Sequence, residues 1–127
     1  MIAAALLLLL GPPQVKPIDW DALPPLPWRA PPQISQTMTD FVLREVHTRK
    51  CPLAAPLGAT QEMQVDLAVL VTTDNQVRAV VPRAIKCPTV EQYSAGLVTS
   101  FARDNLLPRT ANADQWYRAS ITFTWKK

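Results

Sequence analysis

The stretch that decides the fold is VDLAVLVTTDNQVRAVVP, residues 65–82, in which two apolar runs flank a polar turn. From Met63 onward, apolar residues recur at every second position, which is the period of a β-strand. The positions between them start polar but continue as Ala68 and Leu70, so this strand is apolar on both faces. Such a strand fits the centre of a sheet. We predict strands over residues 63–72 and 77–85.

Two helices and a third strand are predicted from the remaining sequence. Residues 37–50 carry an apolar stripe at helical spacing. A second helix follows residue 88, where Thr89 and Gln92 have the spacing of a capping box. Residues 116–125, WYRASITFTW, alternate between apolar and polar side chains, as a strand with one buried face does.

The order of these elements predicts an α+β fold, helix–strand–strand–helix–strand. Pro82 cannot donate to a strand ladder, so we place the second strand at an edge of the sheet. A right-handed crossover that skips one position then puts the first strand between the other two. We therefore expect two helices packed on one face of a three-stranded antiparallel sheet.

The front of the chain differs from the rest in composition. Eight of the 13 prolines lie within residues 12–32, which predicts an extended, polyproline-like linker over residues 12–35. Residues 1–11 begin with the apolar run MIAAALLLLL, which predicts a signal segment or a truncated membrane anchor. The folded domain is expected over residues 36–127. An exported protein, either cleaved or membrane-anchored, fits this layout.

The two cysteines, Cys51 and Cys87, suit an oxidising compartment. Joined, they would stabilise a domain of this size by roughly 4 kcal/mol in the chain-entropy model. The alternative is two buried free thiols. Neither cysteine is part of a C-x-x-C motif, and the chain has a single histidine, so no four-ligand zinc set can be drawn.

No motif in the sequence indicates catalysis. No nucleophile lies in a recognisable motif with the lone His47, and three glycines provide no phosphate-binding loop. We predict no catalytic residues, no metal site and no cofactor, and we expect a protein that is not an enzyme. The net charge of +3 is scattered rather than clustered with aromatic residues, which argues against nucleic-acid binding.

The feature left to carry function is the outer edge of the third strand. An exposed strand edge is a hazard unless a partner uses it, and addition of a partner strand is a known mode of recognition. The predicted partner-binding residues run along this strand: Tyr117, Arg118, Ala119, Ser120, Ile121, Thr122, Phe123, Thr124 and Trp125. The alternative is an edge covered by Arg118, by the linker or by self-association.

The pattern resembles the C-terminal domain of the TonB family, within the wider TonB/TolA-like group of energy transducers. The resemblance rests on three segments, MQVDLAVLVTTDNQVRAVVPRAI, TVEQYSAGLVTSFARDNLLPRT and WYRASITFTW, in the family's order. Asp74 and Val77 match the family's hairpin turn, where Asn75 replaces the usual glycine. Leu107, Pro108 and Arg109 match the segment after its helix.

The resemblance implies a periplasmic domain that binds an extended segment of an outer-membrane TonB-dependent receptor, or another envelope protein, in energy-coupled transport. It also implies that inner-membrane motor proteins are partners if the anchor is longer, and that a homodimer can form by strand exchange. The alternative is a disulfide-locked envelope or secreted structural module of the same fold without energy coupling.

Overall fold

The computed structural model describes residues 17–52 and 60–126. The predicted signal or anchor segment, residues 1–11, lies outside the described residues. In the described ranges, no helix is both long and apolar enough to cross a membrane. The elements are a single 3-10 turn at Trp20–Ala22, helices α1 (Gln36–Arg49) and α2 (Pro88–Phe101), and strands β1 (Thr60–Val71), β2 (Val77–Pro82) and β3 (Gln115–Lys126).

The three strands form one antiparallel sheet in the order β2-β1-β3. The predicted α+β fold, with the first strand in the centre and Pro82 on an edge strand, is confirmed. The N–H of Arg83 donates to the carbonyl of Asp66 at 2.8 Å, which continues the ladder one residue beyond β2. Backbone groups alternate in direction along a strand, so the backbone nitrogen of Pro82 points away from β1. Its lack of an N–H therefore removes no hydrogen bond from the ladder.

The core lies between the helices and one face of the sheet. On this face the predicted alternation is confirmed, because the alternating apolar residues of the two long strands are buried. They are Met63, Val65, Leu67, Val69 and Val71 on β1, and Tyr117, Ala119, Ile121, Phe123 and Trp125 on β3. The helices cover them with Val42 and Val46 of α1 and with Val90 and Val98 of α2.

The start of α2 differs from the predicted capping box of Thr89 and Gln92. The helix begins at Pro88, and the N-cap residue, Cys87, makes no side-chain capping bond. Instead a carboxylate oxygen of Glu91 accepts hydrogen bonds from the backbone N–H groups of Ile85 and Cys87, at 3.1 and 3.0 Å. A carboxylate at this position also complements the positive end of the helix dipole. Glu91 therefore takes the role expected of the threonine–glutamine pair.

The turn between β1 and β2 requires a left-handed residue, and Asn75 supplies it with φ of 64°. Asparagine tolerates this region better than most residues other than glycine. The amide nitrogen of Asn75 donates to the carbonyls of Leu106 and Leu107, at 3.3 and 3.4 Å. The turn is thereby connected to the loop that follows α2.

A disulfide joins Cys51 and Cys87, whose Cα atoms are 5.3 Å apart. Cys51 lies two residues beyond the end of α1, and Cys87 is the buried N-cap of α2. Of the two alternatives that the sequence left open, the structure has the bonded pair. The bond fixes the end of one helix to the beginning of the next.

The proline-rich segment, where it is described, lies against the domain. Residues 17–30, which we call the strap, contact both faces of the sheet at β3 and also the loop after α2. Leu26 belongs to the hydrophobic core at 4% exposure, and Trp28 packs against that core. The strap includes the 3-10 turn at Trp20–Ala22 and pairs with β3 beyond it, so this part of the predicted linker does not hang free.

Candidate strand-addition edge

The predicted partner-binding residues of β3 divide into two groups by the direction of their backbone. The N–H and C=O of Arg118 point away from β1, because both bond to the strap. In a regular antiparallel strand, Ser120, Thr122 and Thr124 then point the same way. The other five predicted residues turn their backbone groups to β1 and their side chains into the core: Tyr117, Ala119, Ile121, Phe123 and Trp125. Four residues thus form the outer edge.

The first of these four edge positions is already occupied. The N–H of Leu26 donates to the carbonyl of Arg118, and the N–H of Arg118 donates to the carbonyl of Pro24, each at 2.8 Å. Pro25 pairs with Arg118 in the parallel direction. The strap therefore lies beside β3 as a very short fourth strand.

The prolines of the strap are compatible with this pairing. Between residues 24 and 27, Leu26 is the one residue that is not proline, so it has the one backbone N–H of the four. That N–H is the group that bonds to Arg118. The sequence therefore has a backbone N–H at Leu26, where the pairing uses one, and prolines without an N–H at the two neighbouring positions.

The strap continues from this edge to the helix-covered side of the domain. The N–H of Leu107 donates to the carbonyl of Pro27 at 2.8 Å, and the N–H of Arg29 donates to the carbonyl of Asn105 at 2.7 Å. The side-chain amide of Asn105 also bonds to both backbone groups of Ala30, at 2.9 and 2.8 Å. These bonds hold the strap to the loop after α2.

On the opposite face of the sheet, the strap is held at Trp20. The guanidinium of Arg83 lies 5.4 Å from the centroid of the Trp20 ring, within the range of a cation–π contact. Arg118 donates to the carbonyl of Trp20 at 3.5 Å. The strap thus passes around the edge of β3 and is held on both sides of the sheet.

Apolar residues also lie on the second face of β1. Ala68 is fully buried and Leu70 is half-buried, although both point away from the helices. Trp116, opposite Leu70 on β3, stays 37% exposed and lines a groove of about 350 Å³ with Ile18 and Leu23 of the strap. The second face is thus apolar where the strap lies.

Beyond the strap, the same face becomes polar around Asp66. Its carboxylate accepts from the hydroxyl of Ser120 at 2.7 Å and from the amide of Gln64 at 2.9 Å, and Arg83 lies 3.7 Å away. Burial acts to raise the pKa of Asp66, but these hydrogen bonds and the charges of Arg118 and Arg83 outweigh it, so its pKa is lowered. Asp66 is therefore an anion at neutral pH, beside the free part of the edge.

Ser120, Thr122 and Thr124 form the free part of the edge. All three side chains are exposed. Among the residues that the structure describes, nothing bonds to their outward backbone groups. Three outward-facing positions can pair with an extended segment of about five residues, since the period of a strand is two. This length is enough for a short added strand.

The sequence offered cover of this edge by the linker as one alternative, but it did not indicate which position of the edge the strap would occupy. Trp20, Leu26 and Trp28 are large apolar residues among prolines, and each of them contacts the domain. Their spacing has neither the strand nor the helix period, so periodicity could not detect them. An apolar anchor within a proline-rich stretch is the signal that was available.

No protein-family model, curated protein or solved structure matches the chain. Within residues 17–52 and 60–126, no group of three or more His, Cys, Asp or Glu side chains could hold a metal ion. The feature of the described residues that bears most directly on function is the edge of β3.

Proposed function

We propose that the protein is a TonB-like protein-binding domain of the periplasm, which adds an extended segment of an outer-membrane receptor or another envelope protein to β3. In this role it takes part in energy-coupled transport. The observation that carries the proposal is the free edge at Ser120, Thr122 and Thr124, on a strand otherwise fully paired with β1. Strand addition gives affinity through the main chain and specificity through alternate side chains.

Two further features support this proposal. The order of the elements agrees with the order of segments on which the family resemblance rests. The disulfide between Cys51 and Cys87 suits an oxidising compartment such as the periplasm.

The second candidate is a disulfide-locked structural module of the envelope, without energy coupling. The observation that favours it is the strap, which satisfies the edge groups of Arg118 from within the same chain. A domain that covers its own edge is protected against non-specific pairing. The two candidates differ in whether the free part of the edge accepts an outside strand.

The test is an NMR titration of the full chain, labelled with ¹⁵N, with synthetic peptides copied from the N-terminal segments of outer-membrane receptors. The TonB-like proposal predicts saturable shifts of the amides of Ser120, Thr122 and Thr124, whose N–H groups point outward. If no receptor peptide binds, or if the shifts lie elsewhere, the proposal is wrong and the structural module is favoured.

A further inference from the structure

The strap shows what kind of segment the edge of β3 accepts at Arg118. Its contacts are the N–H donor of Leu26, the carbonyl acceptor of Pro24 two residues earlier, and the side chain of Leu26, which is buried in the core. The residues beside this leucine are prolines. The contact at this position therefore needs one main-chain donor, one acceptor and one apolar anchor.

Proline-rich chains suit such a contact for an energetic reason. They are already extended before they bind, so they lose less conformational entropy on binding than a flexible segment does. A segment of the pattern proline–proline–leucine–proline has the single backbone N–H that bonds to β3. The N–H groups that its prolines lack are not used in this contact. An outside chain with this chemistry could make the same bonds.

We infer that the edge of β3 at Arg118 is a binding site for proline-rich extended segments with a leucine anchor, and that the strap occupies this site in cis. An outside segment of the same chemistry competes with the strap for Arg118. The inference rests on the proposed function, because it concerns the same strand edge, and it adds the chemical class of the partner and a means of regulation. The apparent affinity for an outside segment is reduced by the fraction of molecules in which the strap is bound.

The test weakens the strap in the full chain and measures binding of the strap's own sequence. Leu26→Pro removes the N–H that bonds to Arg118. Leu26→Val is the matched control, because valine has the same number of side-chain carbons as proline and keeps the N–H. The probe is the peptide LPPLPWRA, residues 23–30, with a fluorophore at its N-terminus, and the readout is fluorescence anisotropy.

The expected result is that Leu26→Pro binds the peptide about two- to tenfold more tightly than Leu26→Val, the range that one intramolecular hydrogen bond provides. The wild-type chain should bind it most weakly. The amide of Arg118 should shift on binding in an NMR titration of the same variant. Equal affinity of the proline and valine variants, or shifts remote from Arg118, would overturn the inference.

Trp20→Ala keeps the test decisive if Leu26→Pro does not fold. This change removes the contact with Arg83 at the outer end of the strap and leaves the core intact, so it should also increase peptide affinity over wild type. Unchanged affinity in a folded Trp20→Ala variant would count against competition by the strap.

The inference and the proposed function fail in different ways. Receptor peptides that bind at Ser120–Thr124, together with equal affinities of Leu26→Pro and Leu26→Val for LPPLPWRA, would leave the proposed function standing and contradict the inference. Binding of LPPLPWRA at Arg118, with no receptor peptide bound by any variant, would support the inference and contradict the proposed function.

Discussion

Asp66 is the side chain that links β1 to the polar part of the second face. It accepts hydrogen bonds from Ser120 of β3 and Gln64 of its own strand, and it lies beside Arg83 at the end of β2. Because Arg83 also contacts Trp20, the anion lies next to the group that holds the strap. The charge state of Asp66 therefore affects the stability of the sheet and the attachment of the strap.

The lowered pKa of Asp66 predicts that the free energy of unfolding decreases at acid pH. The folded-state pKa is below the unfolded value, so the stabilisation is complete above the unfolded pKa of about 4 and is lost as the pH falls through the folded pKa. Asp66→Asn should therefore be less stable than wild type at pH 7, and this difference should narrow at pH 3. Urea unfolding at both pH values measures it.

Asp104→Asn is the control, because Asp104 is exposed and its backbone φ of 54° suits asparagine. Its effect should be small at both pH values. A stability difference between Asp66→Asn and wild type that is the same at pH 3 as at pH 7 would contradict the assignment.

Arg109 connects the loop after α2 to the end of β1. Its guanidinium donates to the carbonyls of Val71 and Thr72, at 2.7 and 2.6 Å, and lies 5.5 Å from the ring centroid of Tyr117. Arg109→Met should lower the free energy of unfolding by about 1–3 kcal/mol, because both carbonyls lose a charged donor. Chemical denaturation measures this, and the exposed Arg103→Met is the control. Equal losses in the two variants would contradict the role of Arg109.

At the scale of the element, substitutions on β3 distinguish strand addition from other modes of binding. Thr122→Pro removes an outward N–H without removing a bond to β1, whereas Thr122→Val keeps the N–H and nearly the same shape. We expect the proline variant to lose at least about tenfold in affinity for any receptor peptide that the wild type binds, since it loses a main-chain bond and gains a clash. Isothermal titration calorimetry measures both variants. Equal affinity would mean that the partner binds through side chains alone.

The strands could be predicted from sequence because their side chains carry the burial pattern directly. The alternation in residues 63–71 and 117–125 indicates which face of each strand is buried, and Pro82 indicates that the second strand lies at an edge of the sheet. The strap could not be predicted in the same way. Its contacts use backbone groups and isolated anchors such as Leu26, whose partners are distant in sequence. The division of the β3 residues into paired and free positions likewise depends on the position of the strap.

At the scale of the whole molecule, the disulfide joins two helices that also contact each other through the rings of Phe41 and Tyr93, whose centroids are 4.4 Å apart. We expect the Cys51→Ala/Cys87→Ala variant to lose up to about 4 kcal/mol of unfolding free energy, because the unfolded chain is no longer closed over the intervening loop. Urea titration of the variant measures the loss. Reduction of the wild type should give a similar shift of the unfolding midpoint. A midpoint that does not respond to reduction would contradict a stabilising role.

The position of β1 between its two neighbours also determines the order in which the sheet can assemble. β1 meets β2 across a short turn, whereas its pairs with β3 run from Val71 with Gln115 to Thr60 with Lys126. Pairing residues so far apart requires a large loop to close before any contact offsets its entropy, so this step is slow compared with the hairpin. We therefore expect a folding pathway in which the β1–β2 hairpin forms early, while the edge of β1 that pairs with β3 stays unpaired. During that interval the chain is most exposed to aggregation and to strand exchange with a second copy.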